Sequence, residues 1–425
     1  MTSVVITGVG VASAFGLGMR ALFTGLCSGG SAVAPIRGFD AGSFPTRVAA
    51  EVPLFGKELL ASLPAHDPAW SEDGRLRDRK VAFSLLAAAE AWEHARCTPD
   101  DRIAGLTIAL GLEQAFLDDF VAILGGPSAG LDWQAEPAAG LPKVRFRSSV
   151  DLAAISVRSQ LGLRGPMVVH ASACAAGGLA IAHAASLITR GAAEIVVCGG
   201  ADSMINPLGI GGMSRIGAPS PRAESDACRP FDRRRDGLAM GEGAAMFVVE
   251  HADRARRRGA RPLARVMGWG STQDAYRATA PLPDGSAARR AMERALVRAR
   301  LSPSEIGYVN AHGTGTQLND PAEARAIQDA LGRNIPVSSI KGALGHLMAA
   351  SGALEVAACM LAFEQDLLPG TANHLERDVE CDLDVIGPMP RATRIEHILT
   401  NSFGFGGQNV SLVLGRPLTH HADRP

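Results

Sequence analysis

Short apolar runs alternate along this chain with longer stretches whose apolar positions recur every three to four residues. The short runs predict strands over residues 4–7, 105–110, 167–169, 194–198 and 245–249, then 264–268, 306–310, 337–339, 398–400 and 410–414. The longer periods predict helices over 80–96, 174–189, 286–299, 320–331 and 346–363. This alternation predicts an α/β fold built on a mostly parallel sheet. The order strand, helix, strand occurs in both halves, so a duplicated unit is expected, with a seam near residue 255, although no clear sequence repeat marks it. The division is 1–255 and 256–425. At the seam, Arg254-Ala255-Arg256-Arg257-Arg258 reads as a solvated helix end. Residues 51–79 and 125–147 read as loops or insertions, and 420–425 as a frayed tail.

Composition narrows the class. Of 425 residues, 47% are hydrophobic and 20% charged, which describes a folded, core-rich protein. No apolar run is long enough to span a bilayer, and the first residues lack the pattern of a signal peptide, so a cytoplasmic chain is expected. A net charge of −1 argues against a general nucleic-acid or anionic-membrane binder. The seven cysteines include no C-x-x-C pair, which fits reduced thiols. Only four of the 42 basic residues are lysines (Lys57, Lys80, Lys143 and Lys341), so each invites a question.

Four segments share one design, in which an apolar strand ends and a polar group appears among glycines. The first holds Cys174, in His170-Ala171-Ser172-Ala173-Cys174-Ala175-Ala176-Gly177-Gly178. Placed at the first turn of a helix, its sulfur would meet free N–H groups and the positive end of the dipole, which favour a thiolate. The second holds His312, Thr314 and Thr316; the third, Lys341 and His346; the fourth, Phe405 within Asn401–Asn409. Functional groups in α/β sheets collect at strand carboxyl ends, so the four segments are expected to meet in one pocket. Each has a plainer reading. A lone cysteine usually behaves as a small hydrophobe. A histidine after a strand can be structural, Lys341 can cap a carbonyl or pair with Glu323, and Gly404–Gly407 can be a simple turn. Zinc bound by Cys174, His312 and His346 lacks a fourth ligand and the usual spacings.

Taken together, these motifs resemble a β-ketoacyl synthase of the thiolase superfamily, similar to fatty-acid elongating enzymes and the ketosynthase subunits of type II polyketide synthases. The likeness covers nearly the whole chain, from Val4-Val5-Ile6-Thr7-Gly8-Val9-Gly10 through Gly199–Asp202, Arg229–Asp232, Arg235–Ala244 and Asp274–Tyr276 to Asn401–Asn409. It implies duplicated halves in a five-layered α-β-α-β-α core. It also implies that Cys174 carries the acyl chain as a thioester. The N–H groups of Cys174 and Phe405 would form an oxyanion hole, and His312 and His346 would assist decarboxylation of a malonyl thioester and stabilise the enolate. Lys341, with Glu323 as partner, would order the site. Thr314 and Thr316 would contact phosphopantetheine, Phe405 would gate the chain, and Leu112 would line its pocket.

That chemistry suits these residue types. Losing CO₂ generates a carbanion equivalent at neutral pH, and the protein must then stabilise the enolate oxygen and exclude water. No tightly bound cofactor is implied; substrates ride on the phosphopantetheine of an acyl carrier protein. Basic residues for docking this acidic partner would come from Arg75, Arg77, Arg79, Lys80, Lys143, Arg145, Arg147 and Arg215. The resemblance further implies a dimer, with an identical chain or with a chain-length-factor homologue. Two departures from the family pattern, Glu113-Gln114 after Gly111-Leu112 and Ala175-Ala176-Gly177-Gly178 after the cysteine, point towards a specialised, polyene-type substrate. The competing readings are a non-catalytic partner subunit and a cysteine acyltransferase or hydrolase on the same fold.

Overall fold

The computed structural model describes residues 4–63, 78–111 and 151–418. Leu112, Glu113-Gln114, Arg75, Arg77, Lys143, Arg145, Arg147 and the tail lie outside the described residues.

The first half contains β1 (Val4–Ser13), α1 (Arg79–His94), β2 (Gly105–Leu110) and α2 (Leu152–Leu161). It continues with β3 (Met167–His170), α3 (Ala176–Thr189), β4 (Ile195–Ser203) and β5 (Met240–His251). The second half runs β6 (Ala264–Gln273), α4 (Ser286–Ala299), β7 (Tyr308–Asn310), α5 (Asn319–Leu331) and β8 (Pro336–Ser338). It ends with α6 (Ser351–Gln365), β9 (His397–Gly404) and β10 (Gln408–Gly415).

Strand order is β1-β5-β4-β2-β3 in the first half and β6-β10-β9-β7-β8 in the second, the same permutation of chain order. The senses match as well: two antiparallel pairings, then two parallel ones. The expected mostly parallel sheet is therefore mixed. A turn as tight as Phe405–Gly407 cannot carry a crossover, so β9 and β10 must pair antiparallel. Antiparallel pairing of Val4–Ile6 with Ala264–Val266 joins the halves.

Packing shows the duplication that the letters hide. Gly8 and Gly10 lie so close to α1 that a Cβ on either would sit 2.1 Å from the carbonyl oxygens of Ala91 and Ala87. Gly268 and Gly270 meet Ala295 and Ala291 of α4 in the same way, at 2.2 and 2.0 Å. A G-x-G strand against an A-x₃-A helix thus recurs, because only those residues let a helix backbone rest on a strand backbone.

α1 and α2 cover the outer face of the first sheet, and α4 and α5 that of the second. Between the sheets lie α3 and α6, which touch each other and strands of both halves. These are the five expected layers, and α3 and α6 are apolar nearly all round because both faces are covered. At their crossing, a Cβ on Gly177 would fall 2.7 Å from Ala353 N, and one on Gly352 2.6 Å from Gly178 N. The room left beside Cys174 thus admits the partner helix.

Two segments differ from expectation. The region 51–79 includes a helix, Gly56–Ala61, and ends in the first residue of α1. Arg254 and Arg258 are largely buried: both bind the fully buried Glu250, and Arg258 also donates to Ala95 O and Thr7 Oγ1. Only Arg256 and Arg257 are exposed.

Replacing Gly352 by valine should press a branched side chain into the α3 backbone. We expect a loss of about 1–3 kcal/mol or more, read as a lower urea midpoint at unchanged m-value.

Candidate active site

The four glycine-flanked segments line one pocket of about 440 Å³, to which Cys174, His312, Thr314, Thr316, His346 and Phe405 all contribute. Cys174 occupies a 3₁₀ turn, Ala173–Ala175, just ahead of α3. Ala173 is held at φ 45°, a strained conformation for a non-glycine residue. The end of β9 closes against this turn: a Cβ on Gly404 would lie 3.2 Å from Cys174 N, and the Phe405 N–H faces the sulfur. Gly406 and Gly407, at φ 82° and 78°, supply the left-handed corner that presents Phe405.

A thiolate held by the helix end was expected. Instead, burial pushes the thiol up to about 12, against the opposing pull of Lys341, and the Asp202 charge adds to the rise. Desolvation outweighs the local dipoles because the cysteine is only 4% exposed, at the floor of the pocket.

Lys341 lies at the start of a short helix after β8, and its side chain is 1% exposed. The expected partner, Glu323, is not its partner. Lys341 Nζ pairs with Glu355 of α6, donates to His312 O at 2.6 Å and lies 3.2 Å from His312 Nδ1. Three acceptors use all three ammonium protons. Glu323 instead clamps the His312 loop, accepting from the His312 and Gly313 N–H groups, both at 2.8 Å, and from Asn401 and Asn319. Burial raises its carboxyl to about 7, with the two backbone N–H groups pulling the other way. Asp320 fastens the next turn, accepting from the N–H groups of Thr314 and Gly315 and from that of Phe231. The Thr314 and Thr316 hydroxyls are 2.8 Å apart at the pocket wall.

Geometry assigns the imidazole protons. Lys341 offers only protons, so His312 Nδ1 accepts and the neutral ring carries its hydrogen on Nε2. His346 Nδ1 accepts the Met348 N–H at 3.1 Å and lies 3.0 Å from Ser351 Oγ, which places its hydrogen on Nε2 as well. The rings meet edge to face, 5.3 Å between centroids. Burial, then the Lys341 charge, holds both well below the usual imidazole range. The pocket therefore receives two neutral N–H donors beside a thiol.

Sequence reasoning missed Glu355, Met348, Ser351, Asp320 and Asn401. Glu355 left a signal: it is the only charged residue between Ser351 and Phe363. A lone charge on an otherwise apolar helix needs a buried partner.

Two proposed docking residues are withdrawn by their contacts. Arg79 is bound by Glu242 and by the carbonyls of Leu54 and Val52. Lys80 is 2% exposed and paired with Asp78. Neither presents its charge to a partner. Arg215 is exposed, next to Ile216 and Gly217 at the pocket rim.

Two outcomes test this electrostatic picture. In ¹⁵N NMR spectra, His312 and His346 should remain neutral with Nε2–H at pH 6, where an unperturbed imidazole is about three-quarters protonated. Lys341→Met should cost about 3–5 kcal/mol by leaving Glu355 without its cation, and adding Glu355→Gln should restore part of the loss in chemical denaturation.

Comparison with known proteins shows the family of this chain. Residues 1–255 match the family described as "Beta-ketoacyl synthase, N-terminal domain", and residues 263–375 match "Beta-ketoacyl synthase, C-terminal domain". The chain is 36% identical to "3-oxoacyl-[acyl-carrier-protein] synthase 2" of Coxiella burnetii over 97% of its own length and 98% of that protein's. It is 36% identical to "Oxytetracycline polyketide putative beta-ketoacyl synthase 1" of Streptomyces rimosus, over 97% of each chain. Among solved structures, "The ishigamide ketosynthase/chain length factor" superposes with a TM-score of 0.86 at 32% identity, covering 98% of this chain and 100% of that one. The chain belongs to the β-ketoacyl synthase family.

Proposed function

We propose that this protein is a β-ketoacyl-acyl carrier protein synthase that performs decarboxylative Claisen condensation. The observation that carries the reading is the meeting of the Cys174 thiol, the Phe405 N–H and two neutral imidazoles at one pocket.

In the first half-reaction, Cys174 sulfur attacks the acyl thioester of the carrier. The carbonyl oxygen becomes an oxyanion received by the N–H groups of Cys174 and Phe405, donors worth about 3 kcal/mol each to such a transition state. The carrier leaves as its phosphopantetheine thiol, which takes the proton that cysteine gives up. A buried thiol with a raised pKa loses that proton only as the bond forms, which limits idle alkylation.

In the second, malonyl carrier fills the pocket with its thioester oxygen towards the Nε2–H groups of His312 and His346. The C–C bond to the carboxylate breaks and CO₂ leaves; its electron pair becomes an enolate held by the two donors. The enolate carbon attacks the Cys174 thioester, the oxyanion collapses, and cysteine departs as thiolate and takes up one proton. The product is a 3-ketoacyl carrier, and no cofactor beyond the carried phosphopantetheine is needed. Protonated imidazoles would bind the malonyl carboxylate and hold it in place, so neutral rings favour its loss.

Thr314 and Thr316 line the pocket and would contact the phosphopantetheine arm. The acyl chain would run into the apolar group beside Cys174, formed by Ile205, Ile210, Met213, Leu238 and Met240 and closed by Phe405. Arg215 is the described docking candidate for the acidic carrier. Residues 1–255 would supply the nucleophile, and 256–425 the imidazoles and the gate. We place the enzyme in a type II system, as a dimer with an identical chain or with a chain-length-factor homologue. We place it in the cytoplasm. Among the described residues no helix is long and apolar enough to cross a membrane.

Incubation with acyl carrier and malonyl carrier, followed by mass spectrometry, tests the reading. Acylation at Cys174 and a malonate-dependent extended product are expected. Cys174→Ala should abolish both while folding normally, and His346→Ala should lower condensation by about 10²-fold or more. Acylation followed only by hydrolysis would favour an acyltransferase or hydrolase, and no acylation a partner subunit. A co-purifying homologue without the cysteine would identify a polyketide pair.

A further inference from the structure

Asp202, near the end of β4, is 1% exposed and carries a carboxylate for which the reaction above has no use. Its Oδ2 accepts the Ala349 N–H at 2.9 Å, and among the described residues its Oδ1 has no partner of good hydrogen-bond geometry, with the Ser203 N–H close to the carboxylate. Burial raises the carboxyl to about 7; the Ala349 N–H, the nearby Lys80 and the Ser203 N–H pull it down, while Asp78 adds to the rise. Keeping such a group in a core costs about 1–3 kcal/mol per unsatisfied atom, so its position calls for a reason.

Ala349 belongs to the 3₁₀ turn Met348–Ala350, which leads into α6 as Ala173–Ala175 leads into α3. Met348 stands at φ 45°, matching Ala173, and such a residue persists only where its surroundings hold it. Two groups of this turn reach the reacting atoms. Met348 N–H donates to His346 Nδ1, and Met348 Sδ lies 3.9 Å from Cys174 Sγ. On its other side, the Asp202 carboxylate rests on Gly111, where a Cβ would fall 2.3 Å from both oxygens. The carboxylate is thus wedged between the end of β2 and the strained turn.

We propose that Asp202 is a positioning residue: by holding the Ala349 N–H it keeps the strained turn in place, so that Met348 N–H fixes His346 in the Nε2–H tautomer facing Cys174. Without that anchor the turn relaxes, and His346 Nδ1 loses the Met348 N–H and keeps only the Ser351 hydroxyl, which can accept as well as donate, so the imidazole proton distributes between both nitrogens. The consequence for rate rests on the function proposed above for His346; the consequence for the tautomer does not.

The test compares Asp202→Ala, Asp202→Asn and Gly111→Ala in the full-length protein and its native assembly. For Asp202→Ala we expect mixed His346 tautomers by ¹⁵N NMR. Its condensation kcat should fall about tenfold to a hundredfold, with KM for malonyl carrier changing less than about threefold. Asp202→Asn keeps an accepting oxygen and should keep the tautomer and most of the rate. Gly111→Ala pushes the carboxylate without removing it and should reproduce the alanine phenotype, which preserves the test should Asp202→Ala not fold. Unchanged His346 signals in Asp202→Ala or Gly111→Ala, whatever the rate or melting temperature, would overturn the proposal. So would an asparagine variant as disturbed as the alanine one. Mixed tautomers at an undiminished rate would support the positioning role and count against the part given to His346 in condensation.

Discussion

The near contact of two helix backbones at Gly177 and Gly352 governs this molecule. Because α3 and α6 cross without side chains between them, the turns that precede them are forced together. One turn carries Cys174, and the other brings Met348 against its sulfur and the Met348 N–H to His346. The same crossing buries both helices between the two halves of the sheet, which explains why they are largely apolar. The one charged residue in the buried stretch of α6, Glu355, sits one turn beyond the crossing and meets Lys341. Packing and chemistry are therefore one constraint: loosening the crossing would separate nucleophile from imidazole.

Burial then sets the character of the site. An exposed cluster of thiol, lysine and two histidines would hold mobile charges screened by water. Enclosed, the imidazoles are driven neutral and the thiol keeps its proton. The one ammonium in the cluster is compensated by a carboxylate on the same footing, 1% exposed on each side. Fixed donors remain, and such donors need no reorganisation when charge develops on a substrate oxygen. A site of this kind binds an enolate better than a resting thioester.

Duplication supplied the frame, and divergence the function. Both halves keep the strand permutation, the G-x-G strand against an A-x₃-A helix, and a strained turn ahead of the central helix. Ala349 occupies in the second turn the place of Cys174 in the first. Freed from carrying a nucleophile, that turn serves as a bracket, with its N–H groups committed to His346 and Asp202.

Much of this was legible in the residues. The apolar runs marked β1–β10 but not the short strands Val48–Ala50 and Asp384–Val385 of the same sheet, helix 286–299 agreed to the residue, and the glycine-flanked Cys174, His312, His346 and Phe405 announced a shared pocket, with Lys341 behind it on His312. Local pattern suffices there because strand ends, tight turns and amphipathic faces are decided by neighbours in the chain. The partner of Lys341 was not legible: Glu323 and Glu355 flank it at comparable distances along the chain, and only the placement of α6 brings Glu355 into reach. Nor was the fate of Arg79 and Lys80, whose charges turn inward to Glu242 and Asp78. The state of the sulfur was misjudged for the same reason, since a helix end is visible in sequence and enclosure is not. The sequence by itself determined which chemical groups are present and where strands give way to them. Only the tertiary structure decided which charges neutralise one another and how dry they are, because Coulomb energy and desolvation depend on distances between segments far apart in the chain.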